Sequence, residues 1–321
     1  MIAEVDDYGT ICTHSELSGF SPEDCVLIGY RHEFERPMTP HEMESWVIWP
    51  TEDTAGNRIV AYPFGIVGWL SGVWLSPNRT VYVCDLEGRI YVYPLASLGA
   101  QPWTPAVEYP TGTFIHGIWG LDDENVYAWA HDREGFFLLH GSGASWTRRP
   151  SPDFEVILVR GSSPDHLLAA GSHGEVARWD GSNWSPVPIE AGQSVTGIYV
   201  VDESRFWVST ESGMLLEGSA NGVSERARTP GLAPLADVTV WNGQVWLAGR
   251  ELGLIKLVDH SDELEFVKPN IDATMFDSRG QLLMSCPAMI ATTEDAVAYR
   301  GQLMANFSKA RAVIPPDWES R

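Results

Sequence analysis

Residues 117–146, GIWGLDDENVYAWAHDREGFFLLHGSGASW, decide the fold. A short apolar run, Gly117-Ile118-Trp119, ends at an acidic turn, Asp122-Asp123-Glu124-Asn125. Val126-Tyr127-Ala128-Trp129-Ala130 then alternates in period two, as a strand does. A polar loop around Gly135 leads to a third run, Phe136 to His140, and a Gly-rich turn leads to a fourth at Trp146. The stretch therefore reads as one four-stranded β-unit. Such a unit cannot bury both of its faces alone, so the fold depends on whether the chain repeats it.

It does. A polar or acidic turn followed by a β-rich run recurs at 21–30, 76–85, 122–131, 162–171, 202–210, 242–250 and 278–286. The first apolar residues of these runs are Val26, Val81, Val126, Leu167, Phe206, Val245 and Leu282, with spacings of 55, 45, 41, 39, 39 and 37 residues. A four-stranded repeat near 40 residues is the signature of a β-propeller blade. Seven anchors imply an all-β, seven-bladed β-propeller of four-stranded antiparallel blades, read as a single domain over 1–321. Blade one is expected at about 8–65, with an insertion at 32–44. Blades two to seven should fill about 66–307, and 308–321 is a Pro-broken tail.

Within that frame, Thr10 to His14, Cys25 to Tyr30, Ser45 to Trp49 and Arg58 to Tyr62 are the expected strands of blade one. Blade four should run from Val156 to Val187, with WDGSNW (179–184) as a tight turn, and 259–265 should be an acidic outer hairpin of blade six. In blade seven, Gln281 to Ser285 reads as the second strand, followed by an insertion from Pro287 to Asp295. Ala296 to Tyr299 and Gln302 to Phe307 then read as its third and fourth strands. Ile2 to Val5 is a candidate closing strand. Trp146 and Trp184, each after a Gly-Ser turn, are expected to pack between blades.

The chain carries 43 acidic and 21 basic residues, a net charge of −22. Nucleic acid and anionic membrane are unfavourable partners, because phosphate binding needs clustered Lys and Arg. A basic protein partner suits the field. No apolar run is long enough to span a bilayer. Cys12, Cys25, Cys84 and Cys286 have no metal-type spacing and read as buried free thiols. With no secretory leader visible in the first residues, such thiols make the cytoplasm the expected location.

In the form of its repeats, the chain resembles bacterial seven-bladed propellers of the WD40-like and YVTN-like kind. It lacks their specific motifs. Trp179-Asp180 is a single occurrence of the WD dipeptide, no kelch double glycine repeats, and GSGASW and DGSNW only loosely approach the sialidase Asp-box. The resemblance implies the fold and leaves function to the site.

In a propeller, the loops before each inner strand and those between the second and third strands share one mouth. The first set supplies His116, Asp153, Glu155, Asp237 and Asp272. The second supplies Asp85, Glu87, His131, Asp132, Arg133, Glu134, His173, Glu211, Arg250 and Glu251. His116, His131 and His173 titrate near neutrality when unperturbed. With Glu211 or Asp272 they are the candidates for metal binding or acid–base work. Arg160 stands at the inner-strand position held elsewhere by Trp119 and Tyr199. All three are expected to line the channel, where the arginine needs an acidic partner.

No GxSxG, P-loop, GxGxxG or HxxxH is present. The sequence therefore favours a non-catalytic protein-interaction propeller with no cofactor, catalytic residue or metal. Its expected form is a monomeric ring that binds a basic partner as an intracellular adaptor or as a sequestering, immunity-type inhibitor. The alternative is a metal-dependent lyase or hydrolase with its site at the channel mouth, and a third reading is sugar or small-ligand binding through the channel aromatics Trp74, Trp119 and Tyr199.

Overall fold

A computed structural model describes residues 10–33, 43–52, 58–100, 103–143, 145–189, 194–219, 222–287 and 289–303. Seven four-stranded antiparallel sheets form, each from strands consecutive in sequence. Blade one comprises β1 (Thr10–Ser21), β2 (Asp24–Glu33), β3 (Glu44–Glu52) and β4 (Arg58–Val67). Blade two holds β5 (Leu70–Leu75), β6 (Thr80–Asp85), β7 (Arg89–Pro94) and β8 (Val107–Glu108). Blade three holds β9 (Phe114–Asp122), β10 (Asn125–Asp132), β11 (Gly135–Ser142) and β12 (Ser145–Arg149). Blade four holds β13 (Val156–Ser163), β14 (His166–Gly171), β15 (Val176–Trp179) and β16 (Trp184–Pro186). Blade five holds β17 (Val195–Asp202), β18 (Arg205–Thr210), β19 (Met214–Ser219) and β20 (Gly222–Arg228). Blade six holds β21 (Asp237–Trp241), β22 (Gln244–Ala248), β23 (Leu254–Leu257) and β24 (Leu264–Lys268). Blade seven holds β25 (Met275–Asp277), β26 (Leu282–Cys286), β27 (Met289–Thr293) and β28 (Arg300–Leu303). The first strand of each blade touches the first strands of the blades on either side, so these seven strands form the inner wall of the ring.

The period-two alternation of the second strands explains the stacking. In β10, Val126, Ala128 and Ala130 enter a core shared with Trp74, Tyr82 and Ile90 of blade two. Tyr127 and Trp129 enter a different core, shared with Val159, Leu167 and Ala169 of blade four. Successive side chains point to opposite faces, so a strand that is apolar at every position feeds two cores. The same split recurs in β14 and β18. Seven apolar clusters result, one between each pair of neighbouring blades. The seventh joins last to first: Leu17, Leu27, Trp46 and Tyr62 pack with Leu283 and Ile290. Trp146 and Trp184 lie in the second and third interfaces, as expected of packing residues.

Local chemistry sets the strand spacing. The hairpin β21–β22 turns on Asn242-Gly243, both at positive φ (51° and 75°), the two-residue turn whose twist matches antiparallel strands. Gly117 lies under the Trp129 ring, which a Cβ at that position would strike. Cys25, Cys84 and Cys286 are buried free thiols.

Blade seven corrects the sequence reading. Its third strand is Met289–Thr293, inside the stretch read as an insertion. Residues 296–299 instead form the turn before the fourth strand. Asp295 Oδ1 accepts the backbone N–H groups of Val297 and Ala298, and Thr293 Oγ1 donates to the Ala298 carbonyl. That geometry commits Ala296 to Tyr299 to a turn. The expected closing strand Ile2 to Val5, the tail 308–321 and residues 34–42 of the expected insertion lie outside the described residues.

Closure among the described residues therefore uses two complete blades joined by packing and one turn. Arg279, in the β25–β26 turn, donates to the Leu75 carbonyl of blade two and to Ser18 Oγ of blade one, each at 2.7 Å. It pairs with Asp277 at 2.6 Å and stacks on Phe20, 4.5 Å from the ring centroid. Asp277 also accepts the Gly19 N–H, and the Gln281 N–H reaches the Phe20 carbonyl. Trp241 Nε1 of blade six donates to the Gly280 carbonyl. One turn thus holds blades six, seven, one and two. Arg279→Met keeps the stem and deletes the charged donors. It is expected to lower the unfolding free energy by about 2 kcal/mol, seen as a lower urea midpoint at unchanged m-value.

Candidate functional site

Strand register places one residue from each inner strand on a common tier. The residues paired with the position just after each repeat anchor (Leu27, Tyr82, Tyr127, Leu168, Trp207, Trp246 and Leu283) are Leu17, Trp74, Trp119, Arg160, Tyr199, Thr239 and Asp277. All seven line a central cavity of about 320 Å³. Arg160 thus stands between Trp119 and Tyr199 in ring order, in the channel position read from sequence. Its guanidinium carbon lies 5.8 Å from the Trp119 ring centroid, and Nη1 donates to the Val159 carbonyl at 2.8 Å.

The acidic groups around Arg160 come from blades one, six and seven. Glu16, from β1, lines the cavity and is half-buried. Burial raises its carboxyl to about 7, against the attraction of Arg160 and with added repulsion from Asp237. Asp237 is also pushed up by burial, to about 6, while Arg160 and two backbone donors pull it down. Those donors are the N–H groups of Val238 and Phe276, at 2.8 and 2.9 Å, so Asp237 ties blade six to blade seven. Arg160 is lowered by burial, with Asp237 and Glu16 opposing the shift. Asp277 is engaged by Arg279. Among the described residues, Glu16 makes neither an ion pair nor a side-chain hydrogen bond, and Arg160 makes no ion pair.

His116 and His131, at the start of β9 and the end of β10, form a pair. His116 Nε2 lies 2.6 Å from His131 Nδ1, and the rings stack at 4.8 Å. Phe114 stacks on His131 at 5.0 Å, and the half-exposed Phe136 meets its edge at 5.7 Å. This aromatic row runs from the rim to His116, which lines the cavity. Burial first, and His131 second, lower the His116 pKa; Glu155 opposes them. A 2.6 Å contact between two imidazoles requires one N–H donor and one lone pair, so one ring donates its N–H to the other.

The remaining mouth residues lie at the same end of the ring, because the start of each inner strand pairs with the end of its second strand. Asp132 pairs with Arg148 at 2.7 Å, and Glu134 lies 3.8 Å from the same arginine. Arg133, Glu211, Arg250 and Glu251 are exposed, as are Asp153 and Glu155, and Asp272 is half-buried. His173 is 83% exposed in the β14–β15 turn, bonded to Ser172 and 4.0 Å from Glu175. It does not join the His116–His131 pair. Among the described residues, no group of three or more His, Cys, Asp or Glu is arranged to hold a metal ion. Asp85 departs from the mouth assignment. It is fully buried and accepts bonds from Arg89 and Tyr91, anchoring the β6–β7 turn.

Sequence reading missed Glu16, Asp277 and Arg279 as channel residues. A one-residue register shift lies near the start of β1, as it does in β5, β9, β13 and β17, so period-two counting from the strand start does not reach the channel tier and Glu16 was not phased with it. Asp277 and Arg279 could have been found by extending the Trp119–Arg160–Tyr199 alignment into blade seven.

No family model matches the chain, and no curated protein matches it. Solved structures do match, at low identity. The WD40 β-propeller domain of Doa1 is 12% identical with a TM-score of 0.63, over 85% of this chain and 89% of that one. A catalytically inactive virginiamycin B lyase from Staphylococcus aureus, solved with quinupristin, is 12% identical with a TM-score of 0.60, over 92% and 96%. YCF48 bound to a D1 peptide is 11% identical with a TM-score of 0.51, over 70% and 78%.

The raised Glu16 carboxyl sets a pH dependence. Its folded pKa of about 7 lies above the ordinary 4.5, so the folded state holds this proton more tightly. The stability so gained is full below about 4.5 and is lost as pH rises through 7. Glu16→Gln removes the titration. Across pH 5 to 8, the variant's melting temperature is expected to fall less than that of the wild type, or to rise relative to it. Parallel curves would contradict the assignment.

At these identities the likeness concerns architecture: the chain is a seven-bladed β-propeller with WD40-like structural neighbours.

Proposed function

We propose that this ring is a non-catalytic protein-binding propeller, of the intracellular adaptor or sequestering class, that takes a partner with a basic surface on the mouth described above. One observation carries the reading. Five successive blades each place a glutamate in the turn between their second and third strands: Glu87, Glu134, Glu175, Glu211 and Glu251. Glu155, in the loop before β13, adds another exposed carboxylate at the same end. Arg133 and Arg250 stand among them, but the excess of carboxylates on these rigid turns leaves an acidic rim that steers a cationic surface toward it. The net charge of −22 reinforces it at long range. YCF48, a propeller similar in fold, has been solved with a peptide bound.

The partner is expected to bind the ring as a monomer, by complementary charge and without a cofactor. An oligo-arginine peptide is a direct probe, read by fluorescence anisotropy. Its affinity is expected to fall about tenfold or more between low and high salt, since exposed charges are screened within a Debye length of ~10 Å at 0.1 M. Glu134→Lys, Glu211→Lys and Glu251→Lys together should abolish the binding while leaving the melting temperature within a few degrees. Salt-insensitive binding, or binding unaffected by the triple reversal, would refute the reading.

The His116–His131 pair favours a second reading, a propeller lyase or hydrolase with acid–base chemistry at the mouth, in which a bound divalent metal would need ligands beyond this pair. In that case purified protein would carry stoichiometric metal, and His131→Ala would abolish function while leaving peptide binding intact.

A further inference from the structure

We propose that the central cavity is a binding site for a small zwitterion of the free α-amino acid type, with its carboxylate on Arg160, its ammonium on Glu16, and its side chain between the rings of Trp119 and Tyr199. The proposal is independent of the partner-binding reading, because it concerns the channel wall and not the rim.

The chemistry follows from what the cavity leaves unpaired. Of its charged groups, Asp277 and Arg279 satisfy each other. Asp237 is held by two backbone N–H groups. Glu16 and Arg160 remain. They have opposite charge and line the same cavity, yet they form no ion pair with each other. Arg160 uses one N–H on a neighbouring carbonyl of its own strand, which leaves its fork free for a carboxylate. Glu16 supplies a lone acceptor in a poorly solvated place, where an ammonium would replace the missing counter-charge.

An anion alone would satisfy Arg160 and leave Glu16 unanswered; a cation alone would do the reverse. A molecule carrying both charges a few bonds apart answers both. The volume of about 320 Å³ lies at the small end of ligand pockets and suits a molecule of amino acid size. Trp119 and Tyr199 flank Arg160 on the tier and add apolar wall for the ligand's side chain. Glu16 must be ionised to hold the ammonium. Its carboxyl titrates near neutrality, so binding is coupled to loss of that proton and strengthens as pH rises through 7.

The test is isothermal titration calorimetry of the full chain at pH 8 and pH 5.5. Glycine, L-leucine and L-methionine serve as zwitterions, with acetate, methylammonium and glucose as comparators. At least one zwitterion is expected to bind saturably at 1:1, and about tenfold more weakly at pH 5.5 than at pH 8. Arg160→Gln and Glu16→Gln should each weaken it at least tenfold, while Glu263→Gln, in the exposed β23–β24 turn, should leave it unchanged. If either channel variant fails to fold, the pH dependence of the wild type and the comparator series carry the test. The proposal is overturned if no zwitterion binds at millimolar concentration, or if acetate, methylammonium or glucose binds as tightly. Unchanged affinity in both folded channel variants would overturn it too.

Discussion

The guanidinium of Arg279 touches three blades at once. It donates to a carbonyl in blade two and a hydroxyl in blade one, and it pairs with a carboxylate of its own blade. A propeller can close by sharing one sheet between the two ends of the chain; among the described residues every sheet is built from consecutive strands instead. Among these residues the join between first and last blades therefore rests on packing, side chains and the one main-chain bond from the Gln281 N–H to the Phe20 carbonyl. Its apolar part is the cluster around Leu17, Trp46 and Leu283. Its directional part is the Asp277–Gln281 turn, which also fixes the lower wall of the channel by placing Asp277 and Arg279 on it. Remove the registration of blades one and seven, and Glu16 is no longer held opposite Arg160.

The architecture was legible in the sequence for a physical reason. Second strands are buried on both faces, so runs such as Val126 to Ala130 and Phe206 to Val208 are apolar throughout and recur at a measurable period. Outer strands are less constrained. Ser145–Arg149 is largely exposed, and its place in a sheet was marked only by the Gly-rich turn before it and by Trp146. Blade seven was misread because its third strand ends in Thr292 and Thr293, which look like loop residues. Both are buried, and their hydroxyls are satisfied by Gln281 and by the Ala298 carbonyl, so tertiary partners replaced the apolar signal.

The site was legible only in outline. The inner-strand comparison of Trp119, Arg160 and Tyr199 placed all three on the channel wall, because equal register implies equal depth. The contact between His116 and His131 also follows from topology, since strand start and strand end meet in an antiparallel pair. Spacing along the chain carried no information about Glu16, whose strand bends out of register just before it. Nor could it distinguish Asp85, buried under Arg89 and Tyr91, from the exposed carboxylates of the neighbouring turns. Burial separates these acids, and burial of a single side chain is a property of the assembled ring.

The channel tier has a consequence for any guest. The backbone repeats about a near-sevenfold axis, yet the tier reads leucine, tryptophan, tryptophan, arginine, tyrosine, threonine, aspartate around it. Rotating a ligand by one blade would exchange an indole for a guanidinium, or a hydroxyl for a carboxylate. The scaffold is rotationally degenerate and its chemistry is not. A guest on the axis therefore has a single preferred azimuth.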